Sequence, residues 1–283
     1  MKERILITGS SGFLGTRLRK RLEQHQIKRI KHQDLDKPGE LMVSFNPNVI
    51  FHLAAYGNYH FQRDVKETYR ANVMNLLSLL EASDKVNYKA FINIGSSSEY
   101  GEKHSPMQET DQLDPETFYA ASKAAGTFLA KVWAVQKDKP IVTIRPFSIT
   151  GVGEQEQHLI PTLIRSCLYG EQMKFVPKPV HDFINIDDLI DGMLLLVENA
   201  DKYKGEVFNI GTGRQYNNQE VKEIVEKITG KKARIEIVDT LRSYDTIKWI
   251  ADNSKLRKLG WKPKKILKQS IQEMVENYEQ RVT

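Results

Sequence analysis

A tyrosine and a lysine four residues apart, in Tyr119-Ala120-Ala121-Ser122-Lys123, place a phenol and an ammonium on one face of a helix. Proton transfer at a carbinol carbon needs a group that works near neutral pH, whereas a free phenol ionises near pKa ~10. An adjacent ammonium stabilises the phenolate and lowers that value. Taken singly, such a pair is more often an ordinary surface contact, so its company decides. Just upstream, Gly95-Ser96-Ser97-Ser98-Glu99-Tyr100-Gly101 offers hydroxyls that can hydrogen-bond a substrate oxygen opposite a phenol; the bland alternative is a serine-rich turn that caps a helix. Near the start, Gly9-Ser10-Ser11-Gly12-Phe13-Leu14-Gly15 spaces three glycines by three. The first permits a tight turn, the second lets backbone approach a pyrophosphate, and the third allows close helix–strand packing. A helix starting there turns unpaired N–H groups and a positive dipole towards the anion. Together the three features describe carbinol oxidation or carbonyl reduction beside a nicotinamide dinucleotide.

The elements that must position these groups alternate in type. Residues 4–8 read as a buried strand, the glycine turn follows, and Leu14, Leu18 and Leu22 recur at helical spacing. Residues 49–54 and 90–94 read as further buried strands, 72–81 as a helix, 119–136 as a long helix rich in small residues, and 141–144 as a fourth strand. Strands alternating with helices imply parallel βαβ units and a doubly wound, mostly parallel α/β sheet. Beyond Gly151 the pattern loosens, with helices expected at 160–168, 186–198, 220–228 and 266–278 and strands at 174–176, 207–210 and 234–238. A smaller C-terminal substrate-binding lobe accounts for the irregular stretches. The expected division is a dinucleotide-binding domain of residues 1–150, to which 180–212 return, and a substrate lobe of 151–179 with 213–283.

Composition narrows the classes further. The chain has 283 residues, 40% hydrophobic and 28% charged, an ordinary globular balance rather than that of a disordered chain. The longest apolar run, 193–197, falls far short of the roughly 20 residues a membrane span needs. Lys-Glu-Arg after Met1 leaves no secretory apolar region, which with a single cysteine, Cys167, points to a reducing, cytoplasmic compartment. The lone cysteine and the lack of a CxxC pair give no metal-ligand spacing. The excess of 42 basic over 36 acidic residues has no accompanying aromatic-and-basic signature, so no nucleic-acid partner is expected. Lys262, Lys264, Lys265 and Lys268 read as the solvated face of an amphipathic helix. An acid about 20 residues beyond the glycines reads a ribose hydroxyl in many dinucleotide sites; Asp34 and Asp36 stand there, but Arg29, Lys31 and His32 precede them, and the choice between NAD and NADP stays open.

The ordered set TGSSGFLG (8–15), HLAA (52–55), Asn72-Val73, GSSSEYG, YAASK, RPF (145–147), HDFINIDDL (181–189) and FNIGTG (208–213) resembles the extended short-chain dehydrogenases that act on nucleotide sugars, over nearly the whole chain. The likeness implies a Rossmann fold and a division of roles. Gly9, Gly12 and Gly15, with the backbone of Phe13 and Leu14, hold the pyrophosphate; Asp34 lies near the adenosine; Leu53, Ala54 and Ala55 line the cofactor; Asn72 braces the site. Ser96, counted back from Tyr100-Gly101, hydrogen-bonds the reacting oxygen, with Ser97 beside it. Tyr119 is the acid/base and Lys123 binds the nicotinamide ribose. Arg242-Ser243-Tyr244-Asp245 resembles the pair that grips the nucleotide's phosphate and ribose. Two departures stand out. Ser97 and Ser98 occupy positions that are acidic in the sugar-nucleotide 4,6-dehydratases, and Glu99, one place further on, faces away if the segment is extended. His181 stands where the family often has an arginine. The implied activity is an epimerase acting at C4 of a nucleoside-diphosphate sugar, with a 4-ketoreductase as the alternative and a non-catalytic dinucleotide-binding module more distant. Relatives often dimerise through the helix carrying Tyr119, so a homodimer is expected.

Overall fold

The computed structural model of the chain describes residues 2–31, 34, 35, 37–58, 61–238, 246 and 248–281. It comprises two compact units, the first formed by residues 1–101, 109–146 and 190–209, the second by 102–108, 147–189 and 210–283.

The chain runs β1 (Arg4–Thr8), α1 (Phe13–Arg21), β2 (Gln26–Ile30), α2 (Gly39–Phe45), β3 (Val49–His52), α3 (Val65–Tyr69), a wide π turn (Arg70–Met74), α4 (Asn75–Ser83), β4 (Ala90–Ile94), a 3₁₀ turn (Ser97–Tyr100), α5 (Phe118–Gln136) and β5 (Ile141–Pro146). After β6 (Ser148–Thr150), α6 (Leu159–Tyr169), β7 (Met173–Phe175), β8 (Val180–His181) and β9 (Phe183–Asn185) come α7 (Ile186–Asn199) and β10 (Val207–Ile210). The last elements are β11 (Tyr216–Asn217), α8 (Asn218–Thr229), β12 (Ile235–Ile237), α9 (Ser254–Arg257) and α10 (Leu267–Gln280).

Six strands form the sheet of the first unit in the order β2-β1-β3-β4-β5-β10. The β1–β2, β1–β3, β3–β4 and β4–β5 pairings are parallel. Val49–His52 and Ala90–Ile94 are buried along their whole length, as strands covered on both faces must be. The order reverses at β1, which has β2 on one side and β3 on the other; in open α/β sheets that reversal opens a crevice beyond the strands' carboxyl ends. Leu6, Ile50 and Phe91 from the strands pack with Leu76, Leu79 and Leu80 of α4. The helix expected at 72–81 starts earlier, at Val65, capped by Asp64 Oδ1 accepting from Glu67 N–H at 3.0 Å, and widens into a π turn at 70–74.

In the second unit β6 pairs with β9, β7 with β12 and β8 with β11. Helices α6, α8 and α10 close on one apolar cluster through Leu163, Ile164, Val221, Val225, Ile271 and Met274, and Cys167 is a buried member of it. The lysines near the C-terminus correct the sequence expectation. Helix α10 begins only at Leu267, so Lys262, Lys264 and Lys265 precede it. Pro263 is the reason: it disfavours helical backbone at the residue before it and lacks an N–H. Lys265 instead donates its N–H to Asp188 Oδ2 at 2.9 Å and pairs through Nζ with Glu273 at 2.7 Å. Among the described residues no helix is long and apolar enough to cross a membrane.

Candidate active site

The glycine turn closes β1 at the point where the strand order reverses, and its three glycines meet different surroundings. Gly9 has φ +64°, and a Cβ there would lie 2.6 Å from Ala54 N and 2.7 Å from the Leu53 carbonyl carbon. Gly15 is buried; a Cβ there would drive into the Gly9 carbonyl oxygen and lie 2.7 Å from Ser10 Cα. Gly12 is exposed, and its Cβ would meet only Gly9 O, at 3.4 Å. Two glycines are therefore demanded by the protein's own packing, and the middle one leaves an open face. Gly12 caps α1 without a side-chain bond, and Thr16 N–H is bonded back to Gly12 O at 2.8 Å. The N–H groups of Phe13, Leu14 and Gly15 thus precede the helix's own ladder, as donors for an anion.

Thr8 and His52 end β1 and β3 side by side. Thr8 Oγ1 accepts from Leu53 N–H at 3.2 Å and Ala54 N–H at 3.1 Å, so its own hydrogen goes to His52 Nδ1 at 2.9 Å. His52 is thereby a neutral imidazole carrying its proton on Nε2. Burial, reinforced by the Lys123 charge nearby, holds its pKa down at about 3. This joint sets the backbone of Leu53 and Ala54, both half-buried, beside Gly9; Ala55 is exposed. Asp34 is exposed in the turn after β2, its N–H bonded to Lys31 O at 3.0 Å, with Arg29 and Lys31 exposed on the same stretch. Asp36 and His32 lie outside the described residues.

Helix α5 carries the phenol and the ammonium. Thr117 caps it, accepting from Ala120 N–H at 3.1 Å, which puts half-buried Tyr119 in the first turn and buried Lys123 one turn on. The Lys123 ammonium donates to Ile94 O, at the end of β4. Burial lowers its pKa to about 8, with Glu99 acting in the opposite sense. Asn72, buried in the π turn, accepts from Tyr56 N–H at 2.9 Å and donates to Tyr56 O at 2.8 Å and Ser122 Oγ at 2.8 Å. Ser122 Oγ in turn donates to Tyr119 O at 2.7 Å. The loop after β3 is thus tied to the turn of α5 that bears Tyr119, in the manner of π turns that serve functional sites. Gly126 allows α5 this approach, since a Cβ there would stand 3.1 Å from Asn72 O. The small residues of α5 divide: Ala120, Ala124 and Gly126 face inwards, whereas Ala121 and Ala125 remain half-exposed.

The serine segment is not extended. Residues 97–100 form a 3₁₀ turn capped by Ser96, whose Oγ accepts from Ser98 N–H at 3.1 Å while Glu99 Oε1 accepts from Ser96 N–H at 2.7 Å. This corrects the expectation that Glu99 faces away. Its carboxylate is fully buried, taking Thr127 Oγ1–H at 3.0 Å and Arg145 Nε–H at 2.8 Å as well. Gly95 makes the room: a Cβ there would lie 2.5 Å from Glu99 Oε1. The Arg145 guanidinium stacks 4.6 Å over the Tyr100 ring, and Tyr100 Oη–H donates to Asn209 Oδ1 at 2.7 Å. Ser96 and Ser97 are both buried at this corner.

In the second unit the HDFINIDDL and FNIGTG segments meet at Asp182. Its Oδ1 accepts from Thr212 N–H at 2.8 Å and Thr212 Oγ1–H at 2.5 Å, and its Oδ2 from Gly213 N–H at 2.9 Å and Ala251 N–H at 3.0 Å. His181 packs against Phe183 with the rings tilted by 49° and their centroids 5.3 Å apart, and its Nδ1 lies 3.3 Å from Ser148 Oγ. Arg242 and Asp245 lie outside the described residues. Sequence reasoning missed the Glu99–Arg145 pair and the Thr8–His52 joint. A charged residue ending the apolar run Ile141-Val142-Thr143-Ile144 was the available signal for the first, because a buried arginine demands a partner.

A model of the NAD dependent epimerase/dehydratase family matches residues 5–211. UDP-glucose 4-epimerase of Lactobacillus helveticus is 32% identical over 248 residues, 77% of this chain and 72% of that protein. GDP-6-deoxy-D-mannose reductase of Pseudomonas aeruginosa is 27% identical over 308 residues, covering 100% of this chain and 99% of the relative. Among solved structures, MoeE5 in complex with UDP-glucose and NAD superposes with a TM-score of 0.90 at 25% identity, over 99% of this chain and 100% of that one.

Proposed function

The chain belongs to the NAD dependent epimerase/dehydratase family, and from that premise we propose that it is a nucleotide-sugar epimerase acting at a sugar carbon, C4 by preference, of a nucleoside-diphosphate sugar. The observation that carries the reading is the convergence at one end of β4: the strand delivers Ser96, while Lys123 is anchored on its last carbonyl one turn after Tyr119. Relatives named as a UDP-glucose 4-epimerase and a UDP-glucose- and NAD-bound protein support it.

The residues present fit a dinucleotide. The open face of Gly12 is the place a Cβ would fill, and the N–H groups of Phe13, Leu14 and Gly15 stand behind it. Gly9, Gly12 and Gly15 would hold the pyrophosphate, Leu53, Ala54, Ala55 and Asn72 the middle of the cofactor, and Asp34 the adenosine end. When bound, the nicotinamide supplies the acceptor and donor of hydride at the sugar carbon. Tyr119 takes the proton of the sugar hydroxyl and later returns it. The Lys123 ammonium favours the phenolate and binds ribose hydroxyls. Ser96, whose Oγ lone pair already takes Ser98 N–H, keeps its own hydrogen for the reacting oxygen, with Ser97 beside it. Arg242 and Asp245 are proposed to grip the nucleotide. Dehydration is disfavoured, because Ser97 and Ser98 are not bases and the Glu99 carboxylate is occupied by three donors.

Residues 1–150 with 180–212 are assigned to the dinucleotide, and 151–179 with 213–283 to the sugar nucleotide. NAD and NADP are both admitted, Asp34 favouring a free ribose hydroxyl and the adjacent Arg29 and Lys31 a phosphate. The protein is proposed to work in the cytoplasm as a homodimer. Phe128, Val132 and Val135 are exposed in line with half-exposed Ala121 and Ala125, an apolar stripe along α5 that a second copy would cover. A monomer mass by light scattering at micromolar concentration rejects the dimer.

The test is interconversion of UDP-glucose and UDP-galactose by the purified protein, with Tyr119→Phe expected to lose at least about a thousandfold in turnover while retaining dinucleotide binding. The second reading, a 4-ketoreductase, rests on the end-to-end match with the Pseudomonas aeruginosa reductase. Net consumption of NADH or NADPH with a GDP-bound 4-keto-6-deoxyhexose, without epimer formation, replaces the first reading by the second.

A further inference from the structure

We propose that Glu99 is a positioning residue for this chemistry: clamped by Arg145, its carboxylate is the counter-charge that keeps Lys123 an ammonium and the acceptor that fixes Ser96. The inference rests on the functional reading above and adds to it a residue that touches neither cofactor nor substrate.

Three buried charged groups meet here, with side chains 0% exposed at Glu99, 3% at Arg145 and nearly as enclosed at Lys123. An ammonium withdrawn from water to this degree loses its proton readily unless a negative charge compensates. The Lys123 hydrogen bond to Ile94 O supplies only a carbonyl dipole. The groups that act on Lys123 are Glu99 from the 3₁₀ turn and His52 from β3, with Arg145 of β5 and the Tyr100 ring beyond Glu99. His52 is neutral by its bond from Thr8, Arg145 adds positive charge, and Glu109 acts on Tyr100, so the anion that acts on Lys123 is Glu99. It opposes the effect of burial on Lys123, whose pKa nevertheless lies at about 8.

A filler ion pair needs no link to a functional segment, and Glu99 has two. Its Oε1 holds the backbone of Ser96, at 2.7 Å, and also takes the hydroxyl of Thr127, four residues beyond Lys123 on the same face of α5. One carboxylate therefore registers the serine corner against the helix of the phenol and the lysine. Gly95 preserves the space that lets it do so.

Glu99→Gln keeps the shape and the acceptor for Ser96 N–H and removes the charge. The readout is the affinity for NADH, and for NADPH in parallel, measured by fluorescence titration from pH 6 to pH 9.5. In the unmodified protein the affinity falls by about tenfold as Lys123 becomes an amine near pH 8, because charge-assisted hydrogen bonds to ribose weaken to neutral ones. Lys123→Met flattens this profile. In Glu99→Gln the falling limb moves down by about one pH unit. Should that variant fail to fold with a guanidinium left unpaired, Glu99→Gln/Arg145→Gln takes its place and shows a displacement in the same direction, smaller because the repulsion from Arg145 is removed as well. A limb that stays where the unmodified protein has it overturns the role of Glu99 alone. Absence of dinucleotide binding, or a limb that survives Lys123→Met, overturns the functional reading and the inference with it.

Discussion

Among the described residues two carboxylates, Asp182 and Glu99, are 0% exposed, and their surroundings differ. Asp182 is held by dipoles: three backbone N–H groups and one hydroxyl converge on its oxygens. Glu99 is held partly by charge, with a guanidinium on one oxygen and the Ser96 N–H and a hydroxyl on the other. Each is approached by a glycine whose Cβ would crowd it, Gly211 at 2.9 Å from Asp182 Oδ2 and Gly95 at 2.5 Å from Glu99 Oε1. Dipoles fix the path of a loop and project little beyond it. A charged cluster acts on every titratable neighbour, and Lys123 and His52 are such neighbours. Asp182 accordingly reads as the joint of the Gly211–Gly213 loop, and Glu99 as part of a field that sets protonation states.

The largest effect expected from this contrast is structural. Asp182→Ala leaves four donors without their acceptor, the Ala251 N–H buried and those of Thr212 and Gly213 partly so, and should cost roughly 5 kcal/mol in urea unfolding, while NADH affinity measured on the folded fraction stays unchanged. The pH response separates the two regions again. Burial, strengthened by Lys123, lowers the His52 pKa to about 3 from its ordinary 6.5, so the neutral ring stabilises the fold above pH 6.5 and this contribution is lost as pH falls towards 3. The loss is roughly 4 kcal/mol between pH 7 and pH 3, and His52→Gln, which cannot titrate, should flatten that part of the stability curve. Burial raises the Asp182 pKa, against the pull of its donors, so its contribution has the opposite sign and declines as pH rises through the raised value.

The glycine turn offers a contrast of its own within the first unit. Gly15→Ala must push back the Gly9–Ser10 backbone and is expected to cost about 2 kcal/mol of stability as well as dinucleotide binding. Gly12→Ala meets nothing closer than 3.4 Å and should leave unfolding within about 0.5 kcal/mol of the unmodified protein, yet weaken NADH more than about tenfold. Equal stability losses in the two variants would remove the distinction between packing glycine and ligand glycine.

What the sequence disclosed follows from how local each signal is. Strand–helix alternation, the glycine spacing and the Tyr119–Lys123 interval are carried by neighbouring residues, and those elements stand where periodicity predicts them. The direction of Glu99 is not legible locally, because three serines and a glutamate suit an extended segment as well as the 3₁₀ turn they form. The choice is made by Arg145, 46 residues on, and by Thr127, 28 residues on. The π turn at Asn72 is fixed by bonds to Tyr56 and Ser122, 16 and 50 residues away, which a helical period does not reveal. The helix expected at 266–278 stands at Leu267–Gln280, but Lys262, Lys264 and Lys265 are not on its face, because Pro263 breaks helical backbone just before it. Asp34 stands at the sequence distance of a ribose-reading acid, but on an exposed turn between basic neighbours, so spacing alone leaves the dinucleotide open.

The smallest effect is the sharpest test of the contrast. Thr127→Val replaces the hydroxyl that reaches Glu99 Oε1 at 3.0 Å with a methyl of nearly the same shape, leaving the Ser96 and Arg145 bonds in place. If Glu99 were held as Asp182 is, by the sum of its dipoles, losing one donor would cost stability and nothing else. In a charged cluster the consequence reaches further, because a carboxylate with one donor fewer is less well stabilised and draws more strongly on its remaining partners, Lys123 among them. The expected outcome is a stability loss of about 1 kcal/mol, together with a small upward movement of the pH at which NADH affinity falls. The counterpart in the second unit, Thr212→Val, removes the 2.5 Å hydroxyl bond from Asp182 and should match the stability loss with no change in the pH profile of NADH binding. Identical profiles for the two valine variants would reduce Glu99 to the same purely structural rank as Asp182.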